Sequence, residues 1–234
     1  MRKDYARRLN CFSPPVMMAT FIVEVAMLLF VIVRYGFKSN RNRIAMALLA
    51  CLAIFQFSEY NVCGRFNLDA LSWSRIGFVA ITLLPPLGIH LIHEIAGIKR
   101  RQLVVLGYLL SAIFVYLFAF SSMAFQSHQC AGNYAIFQLA NRLGGLYFIY
   151  YYGLIFIALF MCIWAMQSAT KAQYLALKYL IGGYLFFLLP TTLVNTVKPS
   201  TIQGIPSVMC GFAVIFAIVL VFGILPIELP KRKH

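Results

Sequence analysis

Long apolar runs alternate with short polar clusters along the whole chain, and this alternation predicts its elements. We read seven apolar spans, roughly 16–36, 43–60, 73–97, 103–121, 143–167, 173–195 and 205–226. About 20 apolar residues cross a bilayer core as a helix at ~1.5 Å rise per residue. The connectors after the first, third and fifth spans are short, which predicts antiparallel neighbours. Those at about 61–72 and 122–142 are longer and more polar. The expected fold is an all-α integral membrane protein, a seven-transmembrane-helix bundle over 16–226. Basic tails, 1–15 and 227–234, flank it.

Composition agrees. The chain is 62% hydrophobic and 11% charged, whereas soluble domains carry roughly 25% charged residues. A net charge of +14 suggests nucleic acid, but the cations fall in short clusters between apolar runs, as membrane topology requires. No nucleic-acid partner is expected. Membrane lipids are, including anionic headgroups. The basic start imitates a signal peptide, but the apolar segment after it is long and contains Glu24, so it is read as the first span.

The span from Trp73 to Arg101 sets the orientation, with one Arg near its start and Lys99-Arg100-Arg101 at its end. Arg34, Lys38, Arg41, Arg43, Lys171, Lys178 and Lys231-Arg232-Lys233 fall on the same side as that triplet. Arg65, Arg75, Arg142, Lys198 and the N-terminal cations fall on the other. Because short loops rich in Lys and Arg stay inside, the first group is expected to be cytoplasmic in a cell inner membrane. The N-terminus is then outside and the C-terminus inside. Cys63 and Cys130 sit in the two outer connectors, where a disulfide can persist. They are either bridged or free thiols. Cys51, Cys162 and Cys210 lie inside apolar runs and read as packing.

Ionisable residues within spans are costly and mark function or internal pairing. Glu24 lies inside the first span, Glu59 ends the second near the outer face, and Arg142 opens the fifth. A carboxylate at Glu24 needs a partner or stays protonated. Either Arg142 pairs internally with Glu24 or Glu59, or the three converge on a ligand, a task suited to a bidentate guanidinium. Tyr147 and Tyr151, spaced i,i+4, share one face, and Asn195 ends the sixth span after Pro190. These six residues form the candidate ligand site. Pro85-Pro86 and Pro190 free backbone carbonyls that protein or a wet cavity must take up.

His90, His93 and Glu94 share a helical face, but no second span supplies a histidine, so no metal is expected. Glu94 is expected near Lys99 or Arg100. Residues 205–226 contain no Lys for a retinal Schiff base, and haem would need histidines on two spans. There is no phosphate-binding loop, nucleophile elbow or HExxH. No cofactor and no enzymatic activity are expected.

From the second through the third span the chain resembles the N-terminal seven-helix region of bacterial sensor histidine kinases and diguanylate cyclases. The residues carrying the likeness are Glu59, the 61–72 connector, Trp73-Ser-Arg75, Pro85-Pro86 and the His93–Arg101 exit. The resemblance implies a sensory input module with the N-terminus out and Glu59 as the helix-two acid. The sequence continues into no output domain after Lys231-Arg-Lys-His, so the expectation is a receptor-like module that signals to a separate protein. A small-solute transporter or a membrane assembly subunit are the alternatives.

Overall fold

The computed structural model describes residues 14–62, 69–121, 124–131, 134–139, 141–197 and 205–230. The N-terminal cations, Cys11, Cys63, Arg65, Lys198 and the Lys231–His234 tail lie outside these, and so does the proposed Cys63–Cys130 bridge.

Helix α1 spans Pro14–Tyr35 and α2 spans Asn40–Val62. The third apolar run is two helices, α3 (Ala70–Thr82) and α4 (Leu84–Ala96). They are followed by α5 (Gln102–Phe120), α6 (Asn141–Met166), α7 (Lys171–Val197) and α8 (Ile205–Ile218). After α8 comes a π-helical segment, Val219–Ile224. Among the described residues six stretches are long and apolar enough to cross a membrane, with Ala70–Ala96 counting as one, and Val208–Ile224 is a shorter apolar helix. The chain is therefore a multi-pass helical membrane protein by length and composition.

The connector before α6 folds as a two-stranded antiparallel hairpin, β1 (Phe125–Ala131) with β2 (Tyr134–Leu139). The helical periods that mark the spans say nothing of so short a pair, so the sequence reading left it as an open connector.

Burial orders the bundle. In α2 and in Ala70–Ala96, 72% of the most apolar window is buried, against 22% in α1 and α5. The former pair is the centre, and the latter two present most of their surface to lipid. Phe55, Phe78 and Phe118 are fully enclosed. Phe78 meets Phe118 and Phe125 edge-on at 5.1 and 5.3 Å between ring centroids.

The break between α3 and α4 follows from Pro85-Pro86. Leu83 closes α3 with a bond to Ala80 O at 3.2 Å, and the prolines then occupy the first turn of α4, where no N–H is needed. Pro190, in contrast, lies inside α7, which continues to Val197.

One end of the bundle collects the cations. Asn42 Nδ2 donates to the carbonyls of Tyr35 and Gly36 at 3.2 and 3.3 Å, closing the turn between α1 and α2. Arg41 donates to Ile227 O at 2.8 Å and Leu225 O at 3.2 Å, so the start of α2 caps the end of the last helix. Gln173 Nε2 reaches Ile95 O at 3.1 Å, joining α7 to α4. Gly97 adopts φ 70°, and Ile98 N–H returns to His93 O at 3.1 Å. That reversal carries Arg101 over Glu94 at 3.3 Å. The ion pair of Glu94 at this turn is thus with Arg101, the third cation of the triplet that was expected to lie near it through Lys99 or Arg100. At the opposite end Arg75 donates to Ser121 O at 3.4 Å, joining the start of α3 to the end of α5.

Candidate functional site

The candidate site lies at the end opposite the cations. A cavity of about 410 Å³ opens between α3, β2, α6 and α8. Its walls are Phe78 and Ile81 of α3, Leu139 of β2, and Gly144, Gly145, Tyr147, Phe148, Tyr151 and Tyr152 of α6. Ile205, Pro206, Met209 and Cys210 of α8 complete it. Tyr151, Met209 and Cys210 also line a smaller cavity of about 40 Å³. This second space continues among Leu52, Pro85, Tyr184 and Phe216, so three further elements, α2, α4 and α7, meet beside the first cavity. It has room for a water molecule, and Tyr151 and Tyr184 line it.

The α6 tyrosines divide by direction. Tyr147 and Tyr151, the i,i+4 pair, both face the large cavity, with ring centroids 5.8 Å apart. Tyr152 leans across to α8, where its hydroxyl meets Met209 Sδ at 3.3 Å. Tyr150 turns the other way, into the bundle, and its hydroxyl donates to Thr82 O at 2.7 Å. Thr82 O is the carbonyl that Pro86, four residues on, cannot bond. Ser111 Oγ approaches the same oxygen at 3.4 Å, and Thr82 Oγ1 lies 3.1 Å from Tyr147 Oη. Two helices, α6 and α5, thus supply donors in place of the one lost at the proline break. Tyr147 joins this hydroxyl cluster to the cavity wall. The sequence reading missed Thr82 and Ser111. The signal was present, since a carbonyl four residues before a proline in a span needs a hydroxyl partner.

Glu24 and Glu59 are both buried, at 0% and 1% exposure. Neither lines the described cavities, yet Cys210, shared by both cavities, lies within electrostatic reach of each. The two acids are thus near Cys210 without lining either cavity. Both oxygens of Glu24 lack a hydrogen-bond partner among the described residues. Asn195 is half-buried near the end of α7. Arg142 begins the first turn of α6 by its backbone, and its side chain lies outside the described set. The structure thus brings Tyr147, Tyr151 and the neighbourhood of the two acids together. The cavity draws on α3 and α8 where the sequence reading gathered the outer ends of the first, second, fifth and sixth spans.

The His90, His93 and Glu94 face is occupied by protein. His90 Nδ1 lies 3.2 Å from Tyr108 Oη. His93 sits between Ile89 O at 3.0 Å and Arg100 O at 3.1 Å, tying the connector to α4. Among the described residues no group of His, Cys, Asp and Glu is arranged to hold a metal ion.

Compared with models of known protein families and with curated proteins, the chain matches none.

Proposed function

We propose that the chain is a receptor-like sensor module of a cell inner membrane, with seven crossings, an outward N-terminus and an inward basic face. A small amphiphilic ligand enters the α3–α6–α8 cavity from outside. Binding favours one arrangement of the bundle over another, and the proline break at Leu83 takes up the difference. The basic face passes the change to a separate signalling protein. The observation that carries this reading is the 410 Å³ cavity facing away from the basic end, mostly apolar with three tyrosines in its wall. Binding sites for small molecules are of this size and kind. The resemblance to histidine-kinase and cyclase input regions supports the same reading.

The test is thermal-shift screening of the purified protein with octylamine and octanoate, which share a tail and differ in headgroup charge. A Cβ at Gly145 would have nothing within 4 Å, so Gly145→Phe fills the cavity without a backbone clash. The expected result is stabilisation by one probe in the wild type and none in Gly145→Phe. Equal shifts in both proteins would count against the site.

The permease reading rests on the smaller cavity continuing the larger one inward. Uptake into proteoliposomes of a labelled form of the stabilising probe separates the two, because a sensor binds without moving solute.

A further inference from the structure

The basic end carries a second site that the sensor reading does not use. A groove of about 440 Å³ lies between the α4–α5 connector and the inner half of α6. Its apolar wall is Leu103, Ile157, Phe160 and Trp164, and all four are exposed hydrophobics. Phe160 and Trp164 are 69% and 56% exposed, so no protein among the described residues covers the groove. Arg100 and Gln102 stand at its mouth. Beside Arg100 in sequence are Lys99 and Arg101. Arg101 is engaged by Glu94, which leaves the exposed Lys99 and Arg100 side chains without an anionic partner among the described residues.

Two spans bound this groove on its membrane flank, so what fills it must have an apolar body alongside α6. The unpaired cations at one end require a negative head. The aromatic Trp164 marks the level where acyl chains meet headgroups. His93, bonded to Arg100 O at 3.1 Å, holds the mouth against α4. We propose that this groove binds one anionic phospholipid from the leaflet that meets the basic end, with its phosphate at Lys99 and Arg100 and an acyl chain along Ile157, Phe160 and Trp164. The lipid would stiffen the α4–α5 connector and so tune the face that a signalling partner meets.

Native mass spectrometry of the detergent-released full chain, titrated with phosphatidylglycerol or phosphatidylcholine, tests this. The expected result is one tightly retained phosphatidylglycerol per chain, with phosphatidylcholine retained far less and inorganic phosphate unable to compete. Each basic residue near an anionic surface is worth roughly a fivefold change in binding, so Lys99→Gln with Arg100→Gln should weaken retention by about tenfold or more. Lys171→Gln with Lys178→Gln removes the same charge from the same end and should leave the tight lipid in place. Phe160→Ala with Trp164→Ala should weaken it without any change of charge. Equal losses in the two charge variants would overturn the proposal in favour of diffuse attraction. A dimer that the groove variants dissociate, with no retained lipid, would overturn it in favour of a second copy.

Discussion

The hydroxyl of Tyr150 on α6 donates a 2.7 Å hydrogen bond to the carbonyl of Thr82 at the end of α3. That carbonyl would otherwise keep only the longer 3.4 Å bond from Ser111 Oγ, since Pro86 has no N–H to offer. Tyr150→Phe should therefore cost about 1–3 kcal/mol, the penalty of a buried polar group left poorly bonded. Pro86→Ala restores a donor at the right position, so Tyr150→Phe should cost much less in that background. Unfolding of the four proteins in detergent measures the coupling. Additive losses would mean that the tyrosine does not serve the proline break.

A second pairing fixes α4 against α7. A Cβ placed on Gly88 would overlap the Tyr184 hydroxyl. Gly88→Ala should destabilise the fold by about 1–3 kcal/mol, as overpacking does. Tyr184→Phe removes the clashing oxygen and should recover most of that loss. Thermal unfolding of the single and double variants checks it, and a double variant as unstable as Gly88→Ala would refute the contact.

Glu24 is a stability cost retained inside α1, with both oxygens unbonded among the described residues. Replacing it with an apolar residue of similar length removes a buried polar group. Glu24→Met should raise the unfolding midpoint, by about 1–3 kcal/mol in stability. If the acid serves the ligand site, the same variant loses the probe-induced shift seen in the wild type. A lower midpoint would show that Glu24 has a structural partner.

Asp69, at the start of α3 outside the apolar span, accepts a hydrogen bond from Ser72 Oγ at 2.5 Å. That bond holds its carboxyl below the ordinary aspartate range. The folded state therefore binds this proton less readily than the unfolded one. The contribution to stability is present above the unfolded value, roughly 3.9, and fades as pH falls through the lower folded value. Asp69→Asn should be slightly less stable than wild type at neutral pH, and the two should converge in acid. Midpoints measured across that range decide it, and a constant gap would contradict the assignment.

Much of the helical layout was legible because lipid as solvent imposes a coarse rule. An apolar run of the right length must be a helix, and each span boundary fell within a few residues of an observed end. The run at 73–97 was read as one element because hydropathy cannot see a break, although Pro85-Pro86 marked it. The grouping of Lys99–Arg101 with Arg41 and Lys171 at one end was legible from charge alone. Which helices enclose the cavity was not, because helix adjacency depends on side-chain fit between segments far apart in sequence. Met209 and Cys210 face Tyr151 across α6 and α8, and nothing local to either segment announces it. Pro86 marked the Thr82 carbonyl as in need of a donor, but residue types do not say that Tyr150, sixty-eight positions after Thr82, would supply it.

The most direct measurement is labelling in intact cells with a membrane-impermeant maleimide, on single-cysteine variants in a background with the native cysteines replaced. Gly145→Cys, in the wall of the large cavity, should label from outside, and the native-site octyl probe that stabilises the protein should slow it. Lys99→Cys should label only after the membrane is permeabilised. Labelling of Lys99→Cys in intact cells, with Gly145→Cys silent, would turn the cavity toward the cell interior and contradict an outward-facing receptor.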